Sequence, residues 1–223
     1  MRYFFESKVE KSENGYTIAI PFNVWEVCKQ RDVISGDIVI DNKIINCELH
    51  PLEKGKYDIV VEGNDELAGV EQGVNHKILL HVHGSLVVMD RNSPYSFENP
   101  VRKIDSMNVI IQPEDGLCGQ TCVAMLAGVT IAEVITVMDC REWQATMGRI
   151  ISALNYYGID HTDIIVYTEG RETVLPKCAI LMEKMGRFSH YLVHYDGKFY
   201  DPNLGVLEEY DTGKLLGYLE IKC

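Results

Sequence analysis

The first 83 residues are divided into short runs with strand-like composition, and turn-forming residues separate one run from the next. Runs of this length and composition predict β-strands. Six strands are predicted, at residues 4–9, 16–20, 37–40, 43–49, 56–61 and 77–83. The separating residues have turn chemistry: Glu13-Asn14-Gly15, Ser35-Gly36-Asp37, Asp41-Asn42 and Lys54-Gly55. Because a small barrel leaves few open sheet edges, residues 1–83 are predicted to form a small β-barrel domain.

Residues 84–105 are predicted to be a linker between two domains. This stretch contains Asn92-Ser93-Pro94 and Asn99-Pro100, and each proline removes a backbone donor that a continuing helix or strand would need. The second domain is therefore expected to cover residues 106–223.

The pattern changes to helical after the linker. Helices are predicted at residues 117–127, 130–138 and 146–157. The first is indicated by a stripe with spacings of four, three and four, formed by Cys118, Cys122, Met125 and Val129. Thr130 and Glu133 have the spacing of a capping box that begins the second helix, and Gly158 suits the end of the third.

The chain then returns to strands, predicted at residues 164–168, 178–182, 188–195 and 198–200. Helices followed by strands indicate an α+β domain, because a parallel βαβ fold would alternate the two.

Charge and composition exclude several functions. The formal charge is -12, with 33 acidic and 21 basic residues, which does not suit a protein that binds the phosphates of nucleic acids. The sequence contains no secretory signal and no apolar stretch that would span a membrane, so a cytoplasmic protein is expected. Seven cysteines, an odd number spread along the chain, indicate free thiols in a reducing compartment. The oligomeric state cannot be read from these features.

Cys118 is the candidate nucleophile. It lies in the predicted first turn of a helix, where the helix dipole and free backbone N–H groups favour a thiolate. Gly119 has no side chain, which would let a substrate carbonyl approach the backbone. Gln112 lies six residues upstream across a turn that could bring its amide beside the Cys118 N–H. These two donors would form an oxyanion hole.

A thiol nucleophile needs a base, and a predicted hairpin supplies one. Asp196-Gly197 between two alternating runs predicts a two-residue turn. This register places His190 and Asp201 on the same face as diagonal neighbours, about 7–8 Å apart between α-carbons. His194 is also a diagonal neighbour of Asp201, so the register alone leaves two candidate bases. Asn203 would lie opposite His190 if the strand continued past Pro202, which makes it an alternative orienting group.

Together these residues resemble a known family. Gln112, Cys118-Gly119 and Cys122, followed by helices and then by His190 and Asp201-Pro202, are similar to papain-like peptidases related to the bacteriocin-processing, double-glycine-leader peptidases. The resemblance covers about residues 109–207. It implies that Gln112 is an oxyanion donor, Cys118 the nucleophile, His190 the general base and Asp201 the residue that orients it. The separation between His190 and Asp201 is shorter than is usual in the family.

The N-terminal part more loosely resembles a small bacterial β-barrel domain of unknown function that also occurs ahead of bacteriocin-protection-like segments. Ile20-Pro21, the predicted strand at 37–40 and Gly55-Lys56-Tyr57 carry this likeness. It implies a fold and no activity.

The expected function is that of a bacterial, cytoplasmic cysteine hydrolase, a thiol protease with a catalytic triad that cleaves a peptide or isopeptide bond through a thioester. A peptide or protein is the expected substrate, which the barrel would help to position. The same residues would serve a deamidase or an acyl transferase. A catalytically silent papain-like binding or regulatory module is the alternative from another class.

Neither a metal nor a cofactor is expected. Cys118 and Cys122 could contribute to a zinc site, but structural zinc needs four ligands and only this one close cysteine pair is present. His81 and His83 share a face of a predicted strand and could bind a metal, yet no third ligand is evident, which favours a solvated strand face. Trp143 is interpreted as a packing residue that could also line a cleft.

Overall fold

The computed structural model describes most of the chain, namely residues 1–26, 28, 30–63, 67–83, 92–186 and 188–223. The chain divides into two compact units. The first contains Met1–Leu86 and Asp163–Tyr167, and the second contains Val87–Thr162 and Thr168–Cys223. In the predicted linker, residues 84–91 lie outside the described part, and residues 92–105 belong to the second unit.

The first unit contains a closed, antiparallel, six-stranded β-barrel. Its strands are β1 (Arg2–Ser12), β2 (Gly15–Ala19), β3 (Ile34–Ile40), β4 (Lys43–Pro51), β5 (Tyr57–Glu62) and β6 (Asn75–Val82). The order around the barrel is β1-β2-β5-β4-β3-β6, and β6 pairs with β1 to close it. The six predicted strands and the barrel are therefore confirmed.

Alternating side chains explain why these strands close around a core. In β3, Ile34, Gly36, Ile38 and Ile40 are buried, and Ser35, Asp37 and Val39, which alternate with them, face outward. Asp41 and Asn42 both have positive φ, 47° and 63°, as a two-residue type I′ turn requires, and they join β3 to β4.

The predicted turn at Ser35-Gly36-Asp37 is wrong, because these residues lie inside β3. A Cβ atom at Gly36 would lie 2.8 Å from the carbonyl oxygen of His81 on β6. Glycine is present here because the neighbouring backbone comes close, and not because the chain turns.

A strand from late in the sequence completes the first unit. The strand β7 (His161–Tyr167) pairs in parallel with the first half of β1, from Arg2 to Phe4, whereas β2 pairs with the second half. Tyr167 stacks on Phe22 with ring centroids 4.2 Å apart. Residues 163–167, predicted to be part of the second domain, thus group with the barrel.

The second unit consists of three helices followed by antiparallel strands. The helices are α1 (Cys118–Ala127), α2 (Ile131–Met138) and α3 (Met147–Tyr156). The strands are β8 (Cys178–Met185), β9 (Phe188–Tyr195), β10 (Lys198–Asp201), β11 (Gly205–Leu207) and β12 (Leu215–Ile221). They pair in the order β11-β10-β9-β8-β12. The α+β class is confirmed, and the papain-like assignment of this unit stays a prediction.

The predicted helix ends agree with the observed caps. The Thr130 side chain accepts the backbone N–H of Glu133, whose carboxylate accepts the N–H of Thr130, which completes the capping box. Helix α3 ends ahead of Gly158, whose φ is 68°. Sequence analysis missed β12, although Leu215, Leu219 and Ile221 alternate inward along it.

Helix α1 forms the centre of the second unit. All ten of its residues are buried, and it packs against β9, α2 and α3. Among the described residues, no single helix is long and apolar enough to cross a membrane. Helices α1 and α2 satisfy that test of length and composition only when counted together, and they are bent by 112° relative to each other.

Candidate active site

Cys118 is the first residue of α1. The N-cap residue, Leu117, forms no side-chain hydrogen bond to the first turn of the helix. The partial positive charge of that turn is therefore not offset by a capping side chain next to the Cys118 thiol. Cys118 is 8% exposed. The chain reaches it through Gly116, whose φ of 90° is accessible to glycine at little cost.

His190 and Asp201 form a buried hydrogen-bonded pair on the hairpin of β9 and β10. His190 Nε2 lies 2.9 Å from Asp201 Oδ2, and the two side chains are 8% and 6% exposed. The hairpin has the predicted register, because Tyr195 pairs with Lys198 across the Asp196-Gly197 turn. The juxtaposition expected from the sequence is therefore present.

Cys118 is close enough to His190 to influence the pKa of its imidazole. Burial alone lowers the pKa of this imidazole, but hydrogen bonds to Asp201 and Cys118, together with their charges, outweigh burial and raise the pKa to about 10. The same imidazole is thus bonded to the Asp201 carboxylate and influenced by the Cys118 thiol.

Asp201 is held in place from both of its oxygens. Oδ1 accepts the backbone N–H groups of Asn203, at 2.7 Å, and of Leu204, at 3.2 Å, while Oδ2 accepts from His190. Burial raises the pKa of this carboxyl, but these three hydrogen bonds bring its pKa below the usual value. Asp201 therefore stays ionised and fixes the orientation of the imidazole.

His190 and His194, the two candidate bases, have different surroundings in the structure. His194 Nδ1 donates to the carbonyl oxygen of Pro176 at 2.8 Å, and its ring packs 5.0 Å from that of Phe199. Burial is the main influence on His194 and lowers its pKa. His194 thus has the contacts of a core histidine, whereas His190 contacts Asp201.

Asn203 does not lie opposite His190, because β10 ends at Asp201 and the chain turns there into β11. Its side-chain oxygen instead accepts a hydrogen bond from Gln112 Nε2. The backbone N–H of Gln112 also donates to the carbonyl oxygen of Pro202 at 2.9 Å. Gln112 is therefore fastened to the loop that follows Asp201.

Gln112 keeps unused hydrogen-bonding capacity. Its amide nitrogen carries two hydrogens, and the bond to Asn203 uses one. Its Oε1 atom is buried without a hydrogen-bond partner in the structure. A buried amide of this kind leaves polar groups free for a bound ligand.

Gly119 has a different role from the one expected. A Cβ atom at this position would lie 2.6 Å from Ala145 Cβ and 3.2 Å from Ile150 Cδ1. The missing side chain therefore lets α1 pack against the start of α3, and the space is already filled. Access for a substrate carbonyl does not explain this glycine.

Trp143 and Phe188 form an exposed aromatic pair next to the Cys118 turn. Their ring centroids are 5.1 Å apart, and their exposures are 47% and 37%. The Trp143 ring covers Gly116, where a Cβ would lie 2.7 Å from it, and its backbone N–H donates to the Gly116 carbonyl oxygen. Sequence analysis favours a packing role for Trp143 and leaves open that it lines a cleft, and its exposed position agrees with the second interpretation.

All seven cysteines are free, and Cys223 is the exposed one. Cys122 lies one turn after Cys118 and is fully buried, and burial raises its thiol pKa well above the usual value. In the described part of the chain, the ligand atoms of Cys118 and Cys122 do not meet a third metal-binding group.

What this arrangement can do chemically is set by three residues. A thiol, an imidazole and a carboxylate can act as nucleophile, proton carrier and fixed negative charge, and Cys118, His190 and Asp201 all lie within the second unit. This geometry is the basis for assigning a function, since a scan of protein-family models finds no family that matches the chain and a search of curated proteins finds no matching relative.

Proposed function

We propose that the second unit is a papain-like cysteine hydrolase that cleaves a peptide or isopeptide bond through a thioester intermediate. One observation carries the proposal: a buried hydrogen bond to Asp201 orients the His190 imidazole, and Cys118, at the start of a helix, is close enough to influence the pKa of that imidazole. A nucleophile next to a base that is oriented by a third group is the arrangement that nucleophilic catalysis requires.

The chemical steps follow from these three groups. His190 takes the proton of Cys118, and the resulting thiolate sulfur attacks the substrate carbonyl carbon to form a tetrahedral oxyanion. The oxyanion collapses to a thioester as the C–N bond breaks, and the leaving amine takes the proton from His190. Water then attacks the thioester with His190 as the base, which releases the acid and restores Cys118.

The oxyanion would be stabilised by the backbone N–H of Cys118 and by the second amide hydrogen of Gln112. Supporting this role, the Gln112 side chain is buried and retains unused polar groups. Donors held in place before the reaction stabilise developing charge without reorganisation.

The surroundings of Cys118 favour a particular substrate. Trp143 and Phe188 offer an exposed aromatic surface, and Glu114 and Asp115 are exposed acidic residues in the loop just before the nucleophile. Aromatic faces and carboxylates together attract cationic groups on apolar stems. We therefore propose a peptide or protein segment with a lysine or arginine close to the cleaved bond.

The proposal is tested by the alkylation rate of each cysteine with iodoacetamide. The test uses a Cys223→Ser background, because Cys223 is exposed and would react for reasons of access alone. Cys118 should be alkylated fastest, even though it is buried, because His190 supplies the base that generates its thiolate. His190→Ala should remove this selectivity.

His194→Ala is the matched control, since it removes the same side chain from the same strand without touching Asp201. It should leave Cys118 reactivity unchanged. Equal losses in both variants, or a Cys118 that resists alkylation, would contradict the proposed nucleophile and favour a catalytically silent binding module.

Turnover is tested separately with an electrophilic probe and a peptide library. A peptidyl acyloxymethyl ketone should add once to Cys118, as measured by intact mass, and His190→Ala should abolish the addition. Products from the library distinguish the reactions that share the thioester. New chain ends mean peptide hydrolysis, glutamine converted to glutamate means deamidation, and a joined product means acyl transfer.

A further inference from the structure

Three potential metal ligands meet on the outer face of the barrel. Asp37 on β3 pairs directly with His81 on β6, and His83 follows two residues later on the same face. The backbone N–H of His83 also donates to the Ser35 carbonyl oxygen at 3.0 Å. The strand pairing therefore fixes the relative positions of all three side chains within the first unit.

The ligand atoms are already close to one another. Asp37 Oδ2 lies 2.6 Å from His83 Nε2 and 3.8 Å from His81 Nδ1, and all three ligand atoms lie within 4.8 Å of each other. A tetrahedral ion with bonds of about 2.0–2.1 Å separates its ligand atoms by about 3.3 Å. The observed separations lie on both sides of that spacing, so side-chain rotation can reach it while the backbone stays where it is.

The local charge permits a cation. Arg2 on β1 pairs with His81 in the barrel register, but its guanidinium forms a two-point contact with the Asp163 carboxylate, at 2.7 and 3.1 Å. Asn46 on β4 pairs with Asp37 from the other side and carries no charge. The Asp37 carboxylate therefore remains available to offset the charge of a cation.

Exposure leaves room for further ligands. The side chains of His81 and His83 are 50% and 45% exposed, and that of Asp37 is 26% exposed. A cation held by these three groups would keep at least one coordination position directed to solvent. Zinc sites with three protein ligands commonly bind water or an incoming group at that position.

We propose that Asp37, His81 and His83 bind a divalent zinc ion with one coordination position open to water. Imidazole nitrogen suits zinc and copper better than magnesium or calcium, which prefer all-oxygen sites. This site is independent of the proposed hydrolase chemistry, because all three ligands lie in the first unit.

Isothermal titration of the full chain with zinc chloride, in the Cys223→Ser background, tests the proposal. One zinc ion should bind per chain, and His81→Ala, His83→Ala and Asp37→Asn should each weaken binding by about tenfold or more. Removal of exposed histidines should leave the far-ultraviolet circular dichroism unchanged, so the two histidine variants carry the test if Asp37→Asn does not fold.

His50→Ala is the matched control. His50 is also an exposed barrel histidine with a carboxylate partner, Glu48, at 2.9 Å, but it does not belong to the three-ligand group. The His50→Ala chain should bind zinc with the same affinity as the parent chain.

Cobalt in place of zinc identifies the ligand type. The expected spectrum lacks the thiolate-to-cobalt charge-transfer band that cysteine ligands produce. A thiolate-to-cobalt band would overturn the proposed site. So would a His81→Ala/His83→Ala double variant that binds zinc as tightly as the parent chain.

Discussion

Replacing Asp201 by asparagine tests whether the buried carboxylate is what gives His190 its properties. In Asp201→Asn the remaining oxygen can still accept the N–H groups of Asn203 and Leu204, at 2.7 and 3.2 Å. The new NH₂ group then faces His190 Nε2, where two donors oppose each other. The imidazole must lose its Nε2 proton or turn away, and either change weakens its contact with Cys118.

The size of the effect follows from the lost contact. A hydrogen bond to a charged group contributes about 1.5–3 kcal/mol. If that free energy is lost from the thiolate form, the alkylation rate of Cys118 should fall about tenfold to about 150-fold, at about 1.4 kcal/mol for each factor of ten. The assay is the second-order rate of iodoacetamide labelling near neutral pH, followed by peptide mass spectrometry in the Cys223→Ser background.

Asp196→Asn is the control for this substitution. It makes the same change in charge on the same hairpin, but Asp196 is exposed in the turn, and its positive φ of 50° suits asparagine. The control should label at the parental rate. If Asp201→Asn also labels at the parental rate while its urea unfolding remains cooperative, Asp201 does not activate the His190–Cys118 pair.

Three further results are expected. Gly119→Ala should lower the free energy of unfolding in urea by about 1–3 kcal/mol, because its Cβ would lie 2.6 Å from Ala145 Cβ, and the second substitution Ala145→Gly should restore stability. Gln112→Ala should leave the iodoacetamide rate unchanged, because alkylation forms no oxyanion, but should reduce kcat for a peptide substrate by about 10²–10³; equal effects on both rates would refute an oxyanion role. The pKa of His190 is raised in the folded chain, so its contribution to stability is fully present below the unfolded value of about 6.5 and is lost as the pH rises through about 10. The free energy of unfolding of the parent chain should therefore approach that of His190→Ala as the pH rises from about 6.5 to about 10, measured by urea titration. A difference that grows with pH would contradict the His190–Asp201 ion pair.

Local patterns in the sequence were sufficient for several parts of the candidate site. Asp196-Gly197 predicts a tight turn. Counting residues outward from this turn gives the strand register, which places His190 near Asp201. The same counting could not choose between His190 and His194, since both lie on one face of β9. The choice depends on the Pro176 carbonyl group just ahead of β8, to which His194 donates. Such a contact depends on how the two neighbouring strands are aligned.

Other features depended on partners that are distant in sequence. Local sequence predicts that Gly119 leaves space for a substrate, because Ala145, which fills that space, lies 26 positions later in the loop before α3. The sequence shows no third ligand near His81 and His83, because Asp37 meets them only when β3 pairs with β6. Residues 163–167 follow a helix and precede the second-unit strands, and nothing local assigns them to the barrel.

The position of β7 has a consequence for synthesis on the ribosome. The chain leaves the first unit after β6 and returns to it only at Asp163–Tyr167, after all three helices of the second unit have been made. Until β7 has been synthesised, one edge of the first half of β1 has no strand to pair with. Phe22 likewise lacks the Tyr167 ring on which it stacks in the complete chain. A fragment that stops at residue 83 would carry that open edge permanently, so it should associate or aggregate where the whole chain does not.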